Sequence, residues 1–256
     1  MVFMHTEDIK ILIDNEIRAF SFNMGVNYRL PSVLGVASAN DPLWLRVKNI
    51  HPWIHHPKEL LKNVESIIVF AVPLSLEAVE SNSTGKDPSP QWLREYFLTN
   101  KLIDYLVQKT ANILRIEGFE SIGLKATHDY DRDNLKSHWS HRHAGYIAGL
   151  GTFGIHNLLI TSKGVAVRLG TVLTSLKLNP DSKPEIEYCI TKRGGKCREC
   201  VLKCPVNALD SWDTGKFKCR DWLEDNDRKY RDIIGGVCDA CGKCSSGVPC
   251  SIKIPD

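Results

Sequence analysis

All nine cysteines of this chain fall between Cys189 and Cys250, and the preceding 188 residues contain none. Thiols gathered into so short a stretch act together, as disulfides in an oxidising compartment and as metal ligands or redox groups in a reducing one. The opening residues, Met1 to Asp8, lack the basic and apolar regions of a signal peptide. No apolar run approaches the ~20 residues of a membrane span. These features predict a cytoplasmic protein, no membrane partner, and cysteines that bind metal. A chain of 256 residues accommodates one large core and a small appended module. The formal net charge of +3 is too small to point to nucleic acid or a membrane surface. Asn179-Pro180-Asp181-Ser182-Lys183-Pro184 reads as a connector, which predicts an α+β core over 1–184 carrying cofactor and substrate, and a cysteine module over 185–256.

Within the module, Cys197-x2-Cys200-x3-Cys204-Pro205 is the sharpest motif. Bacterial ferredoxins use C-x2-C-x2-C-x3-C-P, in which the last cysteine crosses to the other cluster. The usual first cysteine is replaced by Gly194, and Cys189 is the nearby substitute. Cys219 follows, then Cys238-x2-Cys241-x2-Cys244-x5-Cys250. Crossed ligation suggests two [4Fe–4S] clusters, one on Cys189, Cys197, Cys200 and Cys250, the other on Cys204, Cys219, Cys241 and Cys244. Cys238 is then left over; the alternative makes it a ligand in place of Cys219. A structural zinc site on Cys197, Cys200, Cys241 and Cys244 is the competing reading, but it leaves the C-x3-C-P element and the other cysteines unexplained.

Upstream, apolar spacing predicts a helix from Thr6 to Phe20 with Thr6 as its N-cap, and a loop over Gly25 to Asp41. Ser66 to Val72 is a β-branched run, expected as a buried strand. Ser89-Pro90 opens a long helix that Gly118 stops. Ser121 to Leu124 is expected as a strand, and Leu158–Thr161 with Val165–Leu173 as a hairpin turning at Ser162-Lys163-Gly164. Irregular alternation of helix and strand favours α+β over a doubly wound parallel sheet.

Gly149-Leu150-Gly151-Thr152-Phe153-Gly154 matches G-x-G-x-x-G, but helix is expected before it and strand after it, the reverse of a dinucleotide site. It is read as a glycine turn that could let a flat cofactor approach the backbone. Five of the nine histidines lie between His128 and His156. Their density beside this turn suggests a pocket, whereas His51, His55 and His56 are left as surface.

The stretch Ser140 to Gly154, with Leu159-Ile160-Thr161 and Arg168-Leu169-Gly170-Thr171-Val172, resembles the epoxyqueuosine reductase family, which is related to reductive dehalogenases. The resemblance continues through the cysteine module, including the lone Cys219. It implies a nitroreductase-like, corrinoid-binding core joined to a ferredoxin-like module with two [4Fe–4S] clusters. It further implies a base-off cobalamin held largely by backbone contacts, consistent with the absence of a D-x-H-x-x-G motif. Gly149, Leu150, Gly151, Thr152 and Gly154 are the expected cofactor-binding residues. The family's catalytic aspartate precedes this turn in an Asp-Ser-Ala-Pro stretch, where this chain has Leu135-Lys136-Ser137-His138. Gly247-Val248-Pro249-Cys250 replaces the usual final Cys-Pro-Trp, and no helical-repeat extension of the kind used for tRNA follows. These departures imply a paralogous branch with another substrate.

The expected function is a reductase passing electrons through two clusters to a corrinoid, with His128, Asp129, Tyr130, His141 or Tyr146 supplying the proton and a low-potential ferredoxin or flavodoxin as donor. The alternative is an electron carrier or corrinoid-activating partner without substrate chemistry of its own. A zinc-stabilised binding protein is the third reading.

Overall fold

The computed structural model describes residues 4–126 and 130–256. The helices are α1 (Thr6–Met24), α2 (Leu43–Ile50), α3 (Pro57–Leu60), α4 (Leu76–Ser81), α5 (Pro90–Ile116), α6 (His141–Ile147), α7 (Glu199–Leu202) and α8 (Trp212–Ile234). The strands are β1 (Val33–Ser38), β2 (Ser66–Pro73), β3 (Ser121–Leu124), β4 (Gly151–Phe153), β5 (Leu159–Thr161) and β6 (Val167–Thr174). Four of them form an antiparallel sheet in the order β1-β2-β6-β3, and β4 pairs with β5 alone. Helices cover both faces of the sheet, and its antiparallel pairing throughout makes this an α+β architecture and excludes the parallel doubly wound fold.

Strand β2 shows why. Side chains alternate across a strand, and every residue of β2 is buried. Ile68, Phe70 and Val72 join the core made with Ile9, Ile13 and Leu106 of α1 and α5. Ile67, Val69 and Ala71 join a second core with Trp44, Ala144 and Ile147 of α2 and α6. Phe70 has no exposed surface, and its burial contributes on the order of 2 kcal/mol. Helix α5 begins as its sequence predicts: Ser89 accepts from the Trp92 N–H at 3.1 Å, and Pro90 occupies the first turn. It ends before Gly118, whose φ is +93°.

Three expectations need correction. Strand β1 lies inside the segment read as a loop. Its small residues answer to packing: a Cβ on Gly35 would stand 2.2 Å from the Ala148 carbonyl oxygen. The hairpin is also wrong, because β5 pairs back with β4 while β6 enters the main sheet between β2 and β3. The turn at Gly164 does form, with its N–H bonded to the Thr161 carbonyl at 2.9 Å. At α1 the cap is His5, not Thr6, with the Asp8 carboxylate accepting the His5 N–H at 2.8 Å; the helix runs on to Met24.

The connector closes the edge of the sheet. Asp181 donates its N–H to the Val36 carbonyl at 2.9 Å and accepts the Val36 N–H on its carboxylate at 2.8 Å, satisfying an otherwise open edge strand. Beyond it, residues 185–256 form helices and turns, with no strand among the described residues. Helix α8 packs on α5, and Cys238 and Ala240 sit in the main core beside Trp92 and Leu93.

Candidate metal centre

Four cysteines converge beneath the β4–β5 hairpin. Cys189, Cys197, Cys200 and Cys250 line one apolar pocket with Ile155, His156 and Val248. Burial, followed by the charges of Cys189 and Cys197, pushes the Cys200 thiol up to about 11. Burial, then Cys200, Cys189 and Cys197, pushes Cys250 up to about 12. Thiols that raise one another in this way need a multiply charged cation to hold them as thiolates.

His156 closes this pocket. The Leu158 N–H donates to its Nδ1 at 3.1 Å, and its Nε2 lies 3.6 Å from the Cys250 Sγ. Burial, reinforced by Arg142 and Lys192, lowers its pKa to about 4. The ring is therefore neutral near pH 7, with the proton assigned to Nε2, facing the sulfur.

Cys204, Cys219, Cys241 and Cys244 form a second set. Burial and then Cys241 and Cys204 raise Cys219 to about 11, while the Arg142 guanidinium acts in the opposite sense. Cys244 is pushed well above the usual thiol range by burial and then by Cys241, Cys219 and Cys204. The Cys204 Sγ accepts the Ala208 N–H at 3.2 Å. The two sets adjoin, since Cys200, Cys244 and Cys250 share one apolar cluster. Neither set closes into a single-ion cage: among the described residues, no three His, Cys, Asp or Glu side chains are placed to hold one metal ion.

Cys238 stands apart. It has no exposed surface and packs in the main core, and its N–H donates to Asp227 Oδ1 at 2.8 Å. Burial and then Asp227 raise its thiol to about 11, with no other cysteine contributing.

Helix α6 carries its polar side chains to different places. His141 Nε2 meets the Lys125 carbonyl at 3.0 Å and Nδ1 meets Thr171 Oγ1 at 2.8 Å. Burial lowers its pKa to about 4, so both nitrogens of a neutral ring are engaged within the fold. Arg142 is exposed, with its guanidinium near Cys219 and Cys244. His143 packs against His51 at 5.4 Å and Phe153 at 5.2 Å, and Tyr146 meets Phe153 at 5.8 Å. Tyr130 is half-buried; His128 and Asp129 lie outside the described residues.

The histidines read as surface are half-buried and engaged with their neighbours. His51 joins the ring cluster of His143 and Trp53, and His55 stacks on His138 at 4.9 Å. His56 serves α3, accepting the Lys58 N–H at 3.2 Å. Sequence distance hid the first two pairings. Arg142 and His156 were also overlooked, although Gly154 signals His156: a Cβ there would stand 2.4 Å from its imidazole.

The remaining positions of the glycine turn are also filled by the chain itself. A Cβ on Gly149 would meet the Ser182 carbonyl oxygen at 2.4 Å, and one on Gly151 the Ile160 oxygen at 1.8 Å. Leu150 is buried in the second core, and Thr152 Oγ1 accepts the Tyr188 N–H at 2.8 Å. These glycines are required by packing within the chain.

No family model matches the chain, and no curated protein matches it. Several solved structures are similar. One is epoxyqueuosine reductase from Bacillus subtilis, at 18% identity and a TM-score of 0.54, covering 97% of this chain and 70% of that one. Another is the catabolic reductive dehalogenase NpRdhA in complex with 3-bromo-4-hydroxybenzoic acid, at 17% identity and a TM-score of 0.56, covering 93% of this chain and 32% of that one. A third is a reductive dehalogenase whose structure suggests a mechanism for B12-dependent dehalogenation, at 18% identity and a TM-score of 0.51, covering 75% and 25%. The chain therefore has the fold shared by epoxyqueuosine reductases and reductive dehalogenases.

Proposed function

We propose that this chain is an iron–sulfur reductase. The observation that carries the reading is the division of eight cysteines into two adjoining sets of four, with Cys238 excluded. Each set has the donor chemistry of a [4Fe–4S] cluster. Cys189, Cys197, Cys200 and Cys250 would hold one, and Cys204, Cys219, Cys241 and Cys244 the other. Bound clusters would supply one-electron reduction at low potential. The protein's own contribution is to donate N–H groups from His156 and Ala208 to sulfur, and to place the Arg142 guanidinium beside Cys219 and Cys244.

Similar structures include a B12-dependent dehalogenase. We place a corrinoid beside α6 rather than on the glycine turn, with the exposed Arg142 and the half-buried His143 and Tyr146 as its protein neighbours. It would supply a cobalt centre that accepts electrons singly. The engagement of both His141 nitrogens favours the carrier reading over proton transfer from that residue.

Anaerobic purification tests both parts. About eight irons and eight sulfides per chain are expected; stoichiometric zinc without sulfide would refute the cluster reading. Cys200→Ser and Cys241→Ser should each lose half of the iron, and Cys238→Ser none. Titration with cob(II)alamin should remove the nitrogen superhyperfine splitting of its base from the paramagnetic resonance spectrum, and Arg142→Ala should weaken that change. A spectrum of free cob(II)alamin at every ratio leaves the carrier reading.

A further inference from the structure

Cys204 of the second set opens onto a cavity of about 380 Å³ walled by Ser83, Gly85, Lys86, Lys203 and Lys243. Two of these ammonium groups are fixed in place. Lys243 Nζ donates to the Asn82 and Thr84 carbonyls at 3.0 and 2.7 Å, and Lys203 Nζ to the Ser83 carbonyl at 2.7 Å. Carbonyls orient the charges without neutralising them. Lys86 is exposed, with its amine 5.3 Å over the Trp222 ring. Among the described residues none of the three lysines forms an ion pair. Asp87, the acid of this loop, is engaged by Lys229 and Tyr230. Leu202 also lines the mouth, and 76% of it is exposed.

An apolar side chain among uncompensated lysines, over a thiol of a redox set, complements an acidic surface with an apolar centre. Electron-transfer complexes are small and weak, and charge complementarity governs their encounter rate. We propose that this mouth is the docking site of a small acidic protein that carries single electrons. Lys86 and Lys203 steer it over Cys204, the buried Lys243 adds its charge from beneath, and Leu202 makes the central contact. The proposal rests on the cluster reading above. In the step, the carrier is oxidised by one electron and the iron–sulfur group is reduced by one; no bond changes and no proton moves.

The test uses anaerobic holoprotein and flavodoxin hydroquinone, an iron-free probe, mixed by stopped flow. At low ionic strength Lys86→Glu should slow the second-order reduction about tenfold, and the gap should close above roughly 0.3 M salt. Leu202→Asp should slow it at every salt concentration. Calorimetric titration with oxidised flavodoxin should show weaker binding to both variants, with iron and sulfide contents matching wild type. Equal rates and affinities for wild type and Lys86→Glu would overturn the proposal. So would phosphate binding lost in Lys86→Glu without any effect on flavodoxin, which would make the mouth a small-anion site. Full clusters in wild type, reducible by methyl viologen radical, keep such a failure separate from failure of the cluster reading.

Discussion

At the scale of single residues, the clearest consequence belongs to His156. Its tautomer is set from one side by the Leu158 N–H, leaving Nε2–H directed at the Cys250 sulfur. A hydrogen bond to sulfur stabilises the more negative, reduced state of a cluster. A neutral hydrogen bond is worth about 1 kcal/mol, or roughly 40 mV for one electron. His156→Leu should therefore lower the potential of one cluster by about that amount in a spectroelectrochemical titration, with the iron content intact. An unchanged potential would mean that the contact carries no such role. Neither this bond nor the location of Arg142 was legible in the sequence, where both residues are ordinary members of a histidine-rich stretch. The gathering of the thiols was legible, because cysteine spacing is read directly along the chain.

The elements around the site depend on close backbone approach. Strands β4 and β5 pair only because Gly151 lacks a side chain, its missing Cβ falling 1.8 Å from the Ile160 oxygen. Gly85 offers the contrast, with a φ of +71° and nothing within 4 Å of the same position. Gly85→Ala should cost about 1 kcal/mol, the conformational penalty alone. Gly151→Ala must displace backbone and should cost several-fold more, visible as a lower thermal midpoint and loss of iron from the first cysteine set. Comparable midpoints for the two variants would show that the hairpin yields. Helix α5 and strand β2 were readable from local pattern, because each carries its own cap or β-branched run. Strand β1 was not, since the residues that shape it answer to α6.

Across the whole molecule, the cysteine segment and the core are sewn together. Asn82 Nδ2 donates to the Cys241 carbonyl at 2.9 Å, Tyr96 to Asp239 at 2.7 Å, and Val165 N–H to the Cys250 carbonyl at 2.8 Å. Gly242 leaves room for the Trp92 ring, which a Cβ would approach to 2.2 Å. A fragment of residues 1–184 would uncover Trp92, Leu93 and Tyr96 and leave these polar groups unpaired. It should show no cooperative thermal transition by circular dichroism and little protection of α5 amides from exchange. A sharp transition in the fragment would mean that the core folds by itself.

The sequence by itself determined the gathering of the thiols into one short segment and the character of the strongest elements. Thiol spacing, a capped helix and a β-branched run are short-range properties that few residues fully specify. The tertiary structure decided which cysteines meet, that Cys238 lies in the apolar core, that β6 leaves β5 for the centre of the sheet, and that the glycine turn is packed by its own chain. It also brought His51 to His143 and gathered three lysines around Cys204. Those outcomes depend on contacts between residues tens to more than a hundred positions apart, where local spacing carries no information and close packing selects the partner.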